Sequence, residues 1–394
     1  MTAVVNDLPN FERLPARCAL AGAALLIVCL ACAIHDFNDF YRAYLIAFLF
    51  WIGVTLGCLA LLMLQHLTGG RWALIIRRIL EAGTRALPVM AVAALPILGG
   101  MPSLYTWAQR GQADPIILAK RAYLNPTFFT GRMVFYFACW LALAHFLNKW
   151  SREEDREGNL PLWMRMESLS GGGLVLLGFT LNFAAVDWVM SLEPRWYSTI
   201  YGLLLMTGMS LAAMAFVIVM LIWLSAKEPL ASVVTPSYLQ DLGSILLMFV
   251  MLWAYLEFSQ YLIIWGENLS GEIPWYLRRL QGGWGTVGLA LLFLNFALPF
   301  FLLLFRHIKR RMKSLLFVAL LVLVTRLGDM CWMVLPAFGD LRVSWRLVAM
   351  VVLLPLGMGG VWFGYFTWQL QRLPLLPAND PRMKGITEHA VEPG

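Results

Sequence analysis

Ionisable side chains inside apolar segments are the residues of this sequence whose types and spacing could do chemistry. A charge in membrane hydrocarbon costs at least about 2.5 to 3.5 kcal/mol, so each such group is a functional candidate. With 1.5 Å of rise per residue from the inner end of each segment, Asp187 lies at about 28 Å, and Glu257 and Asp329 at about 22 to 23 Å. Arg132 and Arg326 lie at about 24 and 18 Å. The five groups are predicted to share the outer half of a membrane domain, where they could meet.

Two interpretations of this layer are open. Arg326 and Asp329 are three residues apart on one helix face and can pair directly, so the layer could consist of ion pairs that hold the helices together. Alternatively, it is a polar pocket open to the outer side, in which Asp187 or Glu257 accepts protons from a reduced lipid-soluble carrier. The side chains that could add hydrogen bonds there are Asn182, Gln260, Ser259 and Tyr261.

A second, sparser group of polar side chains lies toward the inner ends of the segments, and consists of His145, Arg85, Glu81 and His66. This group could extend a proton path, although long side chains that reach the interface from helix ends explain Arg85 and His66 equally well. Cys29 and Cys32 have a CxxC spacing inside an apolar helix, with no following histidine and no second pair. The chain is therefore predicted to bind no metal, haem or other redox cofactor by itself.

The elements that must position these groups are membrane helices. Of 394 residues, 60% are apolar and 13% charged, and the mean hydropathy is +0.71, whereas soluble domains are about 25% charged. This composition excludes a water-soluble enzyme, a disordered regulator and a disulfide scaffold. The ten apolar segments long enough to cross a bilayer are approximately Cys18–Ile34, Tyr44–His66, Leu80–Leu98, Phe128–Lys149, Ser168–Met190, Thr199–Leu224, Leu242–Trp265, Trp284–Phe305, Ser314–Leu335 and Arg346–Leu370.

The predicted fold class is all-α, because the bilayer offers no partner for unpaired backbone groups and the segments are too long and uniformly apolar for barrel strands. A roughly twofold excess of lysine and arginine in alternate loops places both termini in the cytoplasm. These basic residues lie in short loops and form no single face, so no nucleic-acid partner is expected. The first apolar segment lacks a small-residue cleavage site and is predicted to be retained.

Segments two to five and six to nine would have identical orientations, which permits two tandem four-helix bundles with one flanking helix at each end. The predicted units are an N-terminal segment with the first helix (1–43), a first bundle (44–198), a second bundle (199–340), and a last helix with a cytoplasmic tail (341–394).

Three stretches of the chain resemble one family of membrane proteins. They are Gly131–His145 (GRMVFYFACWLALAH), Phe183–Gly202 (FAAVDWVMSLEPRWYSTIYG) and Met251–Gly283, in which Phe258, Ser259 and Gln260 lead to Trp275 and Tyr276. They resemble the ActF subunits (quinone-binding subunit 2) of bacterial alternative complex III, within the NrfD/PsrC-like family. The resemblance extends over most of the ten segments. Arg195 stands where this family more often has histidine, a departure confined to an outer loop.

The resemblance implies two four-helix bundles plus two peripheral helices, and membership of a quinol:cytochrome c (or other acceptor) oxidoreductase complex in the bacterial inner membrane. The implied partners are a sister membrane subunit, ActC, and subunits that carry the haem and iron–sulfur clusters, among them a multihaem cytochrome c. Quinol or menaquinol is the implied substrate of the complex. Asp187, in the second matched stretch, is the first candidate for a proton carrier, and Glu257 is the second.

Three functions stay open at this point. The chain could be a quinol-interacting subunit with a proton pathway. It could instead be a scaffold beside ActC, because the resemblance implies that ActC carries the main quinol site. A stand-alone secondary transporter would need a midplane site framed by broken helices. The only hint of such helices is the prolines within apolar segments, which are Pro88, Pro96, Pro299 and Pro355.

Overall fold

The computed structural model describes residues 12–34, 36–157, 160–226, 228–339, 344–372 and 374–376. Of this part of the chain, 83% is helical and none is strand, and ten helices are long and apolar enough to cross a membrane. The all-α prediction with ten spans is therefore confirmed. Residues 1–11 and 377–394 of the predicted terminal segments lie outside the described residues.

The ten helices are α1 (Leu14–Ala33), α2 (Phe37–Thr68), α3 (Arg77–Gly99), α4 (Pro126–Glu157), α5 (Leu160–Trp188), α6 (Tyr201–Leu224), α7 (Pro236–Glu267), α8 (Trp284–Leu304), α9 (Met312–Val334) and α10 (Trp345–Leu370). A shorter helix, Ile273–Leu280, lies in the connection between α7 and α8 and is called the connecting helix below.

Several helices extend beyond the apolar segments because their capping residues lie outside them. The Asp36 side chain accepts hydrogen bonds from two backbone N–H groups at the start of α2, and the helix ends at Gly69, which has φ +60°. The Thr235 side chain accepts from the N–H of Tyr238 at the start of α7. Ser344 caps α10 in the same way. Polar caps of this kind continue each helix past its hydrophobic stretch.

Helix α3 is interrupted at its prolines. It consists of Arg77–Thr84, Leu87–Ala93 and Leu95–Gly99, and Pro88 and Pro96 stand at the second positions of the later pieces. Proline has no N–H for the hydrogen bond of the preceding turn, so the helix bends there. The residues at the breaks, Ala86 and Ala94, keep right-handed helical dihedral angles, so α3 is kinked and not unwound.

Helices α2 and α6 form the centre of the molecule. Most of their side chains are buried, and they meet where Gly53 and Gly57 of α2 pack against Met209 of α6. Around α2, α3 and α5 are packed, and both of these also contact α4. Around α6, α7 and α9 are packed, and both of these also contact α8. Two tandem four-helix bundles would make these contacts, but the division into bundles and the unit boundaries stay predictions.

The first and last helices pack against each other along nearly their full length. A Cβ atom at Gly22 would lie 2.5 Å from the carbonyl oxygen of Gly357, and one at Gly364 would lie 2.6 Å from that of Pro15. These antiparallel backbones are in direct contact, as small residues allow in membrane helices. Helix α10 also joins the core, since Trp362 is fully buried and donates to the Thr55 hydroxyl of α2.

The helices alternate in direction, so the bundle has two ends. We call the end at which α1 begins and α10 ends the terminal face. The opposite end, which carries the long connections 100–125 and 268–283, is the loop face. The prediction that the termini are cytoplasmic stays a prediction.

Gly57→Ala is expected to destabilise the chain by about 1 to 3 kcal/mol, the usual cost of adding a carbon to a packed core. The added Cβ would lie 2.4 Å from the Met209 carbonyl oxygen, and a backbone atom cannot move aside as a side chain can. The midpoint of detergent-induced unfolding measures the effect. Gly178→Ala is the matched control, because no atom lies within 4 Å of a Cβ atom at that helical glycine. Equal midpoints for the two variants would contradict this account of the α2–α6 contact.

Candidate functional site

The five ionisable groups predicted to share one layer form two separate clusters. Arg132 of α4 and Asp187 of α5 pair in one cluster, and Arg326 and Asp329 of α9 pair in another. Glu257 of α7 belongs with the second, because it interacts electrostatically with both members of that pair. None of the described hydrogen bonds or ion pairs joins the two clusters.

The Asp187 cluster consists of Asp187, Arg132 and Tyr136. Arg132 donates from Nε to Asp187 Oδ2 and from Nη2 to Oδ1, both at 2.8 Å, and the Tyr136 hydroxyl donates to Oδ2, also at 2.8 Å. Arg132 Nη1 donates to the Tyr123 carbonyl oxygen at 2.9 Å, and the guanidinium lies over the Tyr123 ring. Asp187 is 1% exposed. A bidentate pair with these further partners satisfies both charges and leaves the carboxylate no free access.

The Glu257 cluster consists of Glu257, Arg326 and Asp329. Arg326 Nη1 donates to Asp329 Oδ2 at 2.7 Å, and both side chains are 2% exposed. Arg326 Nε has no hydrogen-bond partner among the described residues. Glu257 is half-buried and forms neither a hydrogen bond nor an ion pair with any described residue. This cluster therefore contains an unpaired carboxylate beside a buried ion pair.

Helix α7 positions Glu257 at the border of a buried stripe. Trp253, Leu256, Gln260 and Ile264 are buried at helical spacing, whereas Tyr255 and Phe258 are 66% and 61% exposed. On the terminal-face side, α7 packs against α8 from residue 292 onward and against residues 306–310. The first turns of α8, Trp284–Leu291, pack instead against the connecting helix and α9. Glu257 itself is half-buried, and the exposed Tyr255 and Phe258 beside it show that this part of α7 is only partly covered by described residues.

Buried donors without direct partners surround the Glu257 cluster. Gln260 accepts from the Ser198 hydroxyl at 3.1 Å, but its Nε2 and the Tyr276 hydroxyl lie near each other without a hydrogen bond of normal geometry. The Asn295 side chain, in the π-helical turn Leu292–Ala297 of α8, accepts from Thr325 at 2.9 Å while its Nδ2 has no described partner. Buried polar atoms almost always bind protein, water or a ligand, so this region has unused hydrogen-bonding capacity.

Sequence reasoning missed a third cluster at the loop face, formed by Glu193, Arg278 and Arg279. Glu193, between α5 and α6, accepts from Arg278 at 2.6 Å and from Arg279 at 2.9 Å. Arg279 also donates to the Met333 carbonyl oxygen of α9 at 2.6 Å and lies over the Trp275 ring. The Glu193 cluster fixes the connecting helix above α9. These residues lie outside the apolar segments, and two adjacent arginines after Trp275 were the available signal.

Asn182 lies apart from the other candidates. Its side chain packs against Gly202 at the start of α6, so that a Cβ atom there would lie 2.0 Å from Asn182 Oδ1. No hydrogen bond from Asn182 is found among the described residues. The candidates that the structure brings together in the second half are therefore Glu257, Arg326, Asp329 and Gln260.

The inner candidates are divided among three places. Glu81 accepts from Arg77 at 3.0 Å, from Arg78 at 2.7 Å and from the Ser151 hydroxyl at 2.6 Å. Arg77 also pairs with Glu154 at 2.6 Å, and Arg78 pairs with Asp155. We call these six residues the Glu81 cluster. His66 Nδ1 lies 3.0 Å from the Ser170 hydroxyl.

Arg85 and His145 line a cavity of about 500 Å³ between α3, α4 and α10. Arg85 Nε donates to Asn148 Oδ1 at 2.8 Å, and His145 is exposed. Within α3, the Arg85 backbone N–H donates to the Glu81 carbonyl oxygen at 3.1 Å, and the two side chains interact electrostatically. No described side-chain hydrogen bond or ion pair joins His145 to Glu81 or His66, so the structure does not bring all four inner candidates together.

Asp114 and Tyr276 are among the groups in the loop-face connections whose pKa values are shifted. Hydrogen bonds from Arg195 and from the Ile116 N–H hold the pKa of Asp114 below its usual value. This contribution is present above the ordinary carboxyl pKa and is lost as the pH falls through the lowered one. Burial raises the pKa of Tyr276. Arg195 thus forms an exposed ion pair with Asp114 and no described ion pair with the Glu257 cluster.

Among the described residues, no three His, Cys, Asp or Glu side chains are grouped so that they could hold a metal ion. The expectation that the chain carries no metal or redox cofactor stays a prediction.

Comparison with known proteins adds no relative to this picture. No family model matches the chain, and no curated protein matches it. What the geometry establishes is a polytopic helical architecture of membrane type, with an unpaired carboxylate near the loop face.

Proposed function

We propose that this chain is an integral membrane subunit of a quinol:cytochrome c (or other acceptor) oxidoreductase complex, and that it contributes a quinol-interaction and proton-accepting site at Glu257. The unpaired state of Glu257, beside the Arg326–Asp329 ion pair, is the observation that carries this proposal. The resemblance of Met251–Gly283 to the ActF subunits supports it, since this stretch contains Glu257, Gln260 and Tyr276.

Oxidation of a quinol releases two protons and two electrons. The Glu257 carboxylate is an acceptor that no described residue occupies, so it can take one proton from a quinol hydroxyl and, in this proposal, pass it to water at the loop face before it takes the second. Gln260 Nε2 and the Tyr276 hydroxyl are donors that could bind the quinol oxygen. In this proposal the electrons pass to haem and iron–sulfur partner subunits, and the chain is expected to supply no redox group of its own.

Access from the bilayer also favours Glu257. The neighbouring side chains Phe258 and Tyr261 are 61% and 45% exposed. A lipid-soluble quinol could approach sideways along these aromatic rings. Asp187, by contrast, accepts three hydrogen bonds and is 1% exposed. We therefore rank Glu257 above Asp187 as the proton acceptor, although the sequence alone favours Asp187.

Glu257→Gln tests the proposal in the complex purified from its native membrane. We expect quinol:acceptor activity to fall about 100-fold, since a positioned proton acceptor contributes at least about that much. Haem spectra and subunit content should be unchanged, because glutamine keeps the size of the side chain. Glu267→Gln, at the exposed end of the same helix, is the matched control and should keep full activity.

Two other outcomes would decide against this proposal. Full activity of Glu257→Gln in an intact haem-bearing complex would assign the chain a scaffold role. Purification without any haem-bearing companion, together with solute uptake by the isolated chain in liposomes, would instead favour a secondary transporter. The described breaks in α3 keep helical dihedral angles, which gives a transporter no unwound midplane segment there.

A further inference from the structure

A cavity of about 500 Å³ lies in the terminal-face half of the molecule, between α3, α4 and α10. Among its polar residues, which also include His145 and Gln369, Arg152, Asn148 and Arg85 lie toward the terminal face. Leu141, Leu87 and Pro88 line it toward the membrane centre. Along α4, Arg152 and Leu141 are separated by about 16 Å at 1.5 Å per residue. The cavity thus has a polar end near the terminal face and an apolar end toward the membrane centre. A lipid headgroup and its acyl chain are arranged in the same way across a bilayer leaflet.

The polar end carries positive charge that no lining residue neutralises. Arg85 uses Nε to bind Asn148 Oδ1, but its buried Nη2 has no partner among the described residues. Arg152 donates from Nε to the Asn148 backbone oxygen at 3.2 Å. No carboxylate lines the cavity, and the nearby acids Glu81 and Asp155 are already paired within the Glu81 cluster. Arg85 interacts electrostatically with Glu81, and Arg152 is exposed, but neither guanidinium forms an ion pair with a described carboxylate inside the cavity.

We propose that this cavity binds one anionic phospholipid, with its phosphate between Arg85 and Arg152 and an acyl chain along Leu87, Pro88 and Leu141. Arginine is the side chain best suited to phosphate, because its planar fork donates two parallel hydrogen bonds. Basic pockets between membrane helices are typical sites for anionic headgroups. A neutral quinol would offer these two arginines no negative charge. This site lies at the opposite end of the molecule from Glu257 and does not depend on the proposed function.

Lipid binding by the full-length chain tests this proposal. Delipidated protein in detergent is titrated with short-chain phosphatidylglycerol, with short-chain phosphatidylcholine and with inorganic phosphate, and bound ligand is counted by native mass spectrometry. We expect tight binding of phosphatidylglycerol and weak binding of the other two. Arg85→Gln/Arg152→Gln should bind phosphatidylglycerol about 30-fold more weakly, which corresponds to about 2 kcal/mol for two basic residues. Arg165→Gln removes an exposed charge of α5 near the same face and is the matched control.

A second variant distinguishes binding of a lipid from binding of a free anion. Ala142→Trp adds bulk to the apolar part of the cavity without changing charge, and should weaken phosphatidylglycerol binding while Arg85 and Arg152 remain. A monodisperse elution profile confirms that each variant is folded. Phosphatidylglycerol binding by the double arginine variant equal to that of Arg165→Gln would overturn the proposal. Inorganic phosphate binding as tight as phosphatidylglycerol, unaffected by Ala142→Trp, would overturn its lipid component.

Discussion

Asp187→Asn is expected to lower the free energy of unfolding by about 3 to 5 kcal/mol, the usual cost of breaking a buried ion pair from one side. Asparagine cannot neutralise Arg132, which would remain buried with its charge opposed only by neutral groups. The Tyr136 hydroxyl would also lose a charged acceptor. Unfolding of the purified chain in mixed micelles, followed by circular dichroism, measures the loss.

A double variant shows whether the loss comes from the uncompensated charge. Arg132→Met combined with Asp187→Asn removes both charges and should recover most of the stability, because a buried pair often adds little over apolar residues of similar size. Asp114→Asn, which breaks an exposed pair at the same face, should have a much smaller effect. If Asp187→Asn were no less stable than Asp114→Asn while quinol oxidation was lost, Asp187 would regain the role of proton carrier.

Glu81→Gln should be at least as destabilising, again by about 3 to 5 kcal/mol. Glu81 is the shared acceptor of two fully buried arginines and of Ser151, so its neutral variant removes the carboxylate that Arg77 and Arg78 share. Since these residues join the first turns of α3 to the last turns of α4, the two helices should separate at the terminal face. Protection of backbone amides near Arg77, measured by hydrogen exchange, would fall together with the unfolding midpoint.

The control for this variant is Glu153→Gln in the last turns of α4, at the same face of the molecule. Glu153 is exposed and lies 3.9 Å from Lys149, so its loss should change stability little. Equal stability of the Glu81 and Glu153 variants would mean that the buried cluster contributes nothing beyond surface charge.

Hydropathy was sufficient to predict the number and approximate bounds of the helices. The predicted segment Arg346–Leu370 differs from α10 by one residue at its start, because an apolar stretch bounded by polar caps has few alternatives. The kinks of α3 follow from Pro88 and Pro96 in the same local way. Arg326 and Asp329 are three residues apart on one helix face, so the sequence indicates that they can pair, and in the structure they do.

The arrangement of the helices within the membrane plane could not be predicted, because the depth of a residue along its helix does not indicate which helices are neighbours. Asp187 and Glu257 were placed in one layer, yet they face different sets of helices and share no partner. The burial of charged residues at helix ends was also not predicted. Arg77 and Arg78 served as loop charges in the topology argument, whereas both are fully buried. The spacing of Arg77 and Glu81, four residues apart, was the local signal that could have indicated pairing.

The backbone contact between α1 and α10 has a consequence for how the chain is made. The glycine surface around Gly22 has its partner more than three hundred residues later, at Gly357, Gly360 and Gly364. During synthesis, the glycine surface of the first helix therefore faces lipid until the tenth helix has been inserted. A chain cut short before Trp345 would keep nine helices and still present a narrow strip of bare backbone to the membrane, where quality-control proteases could recognise it.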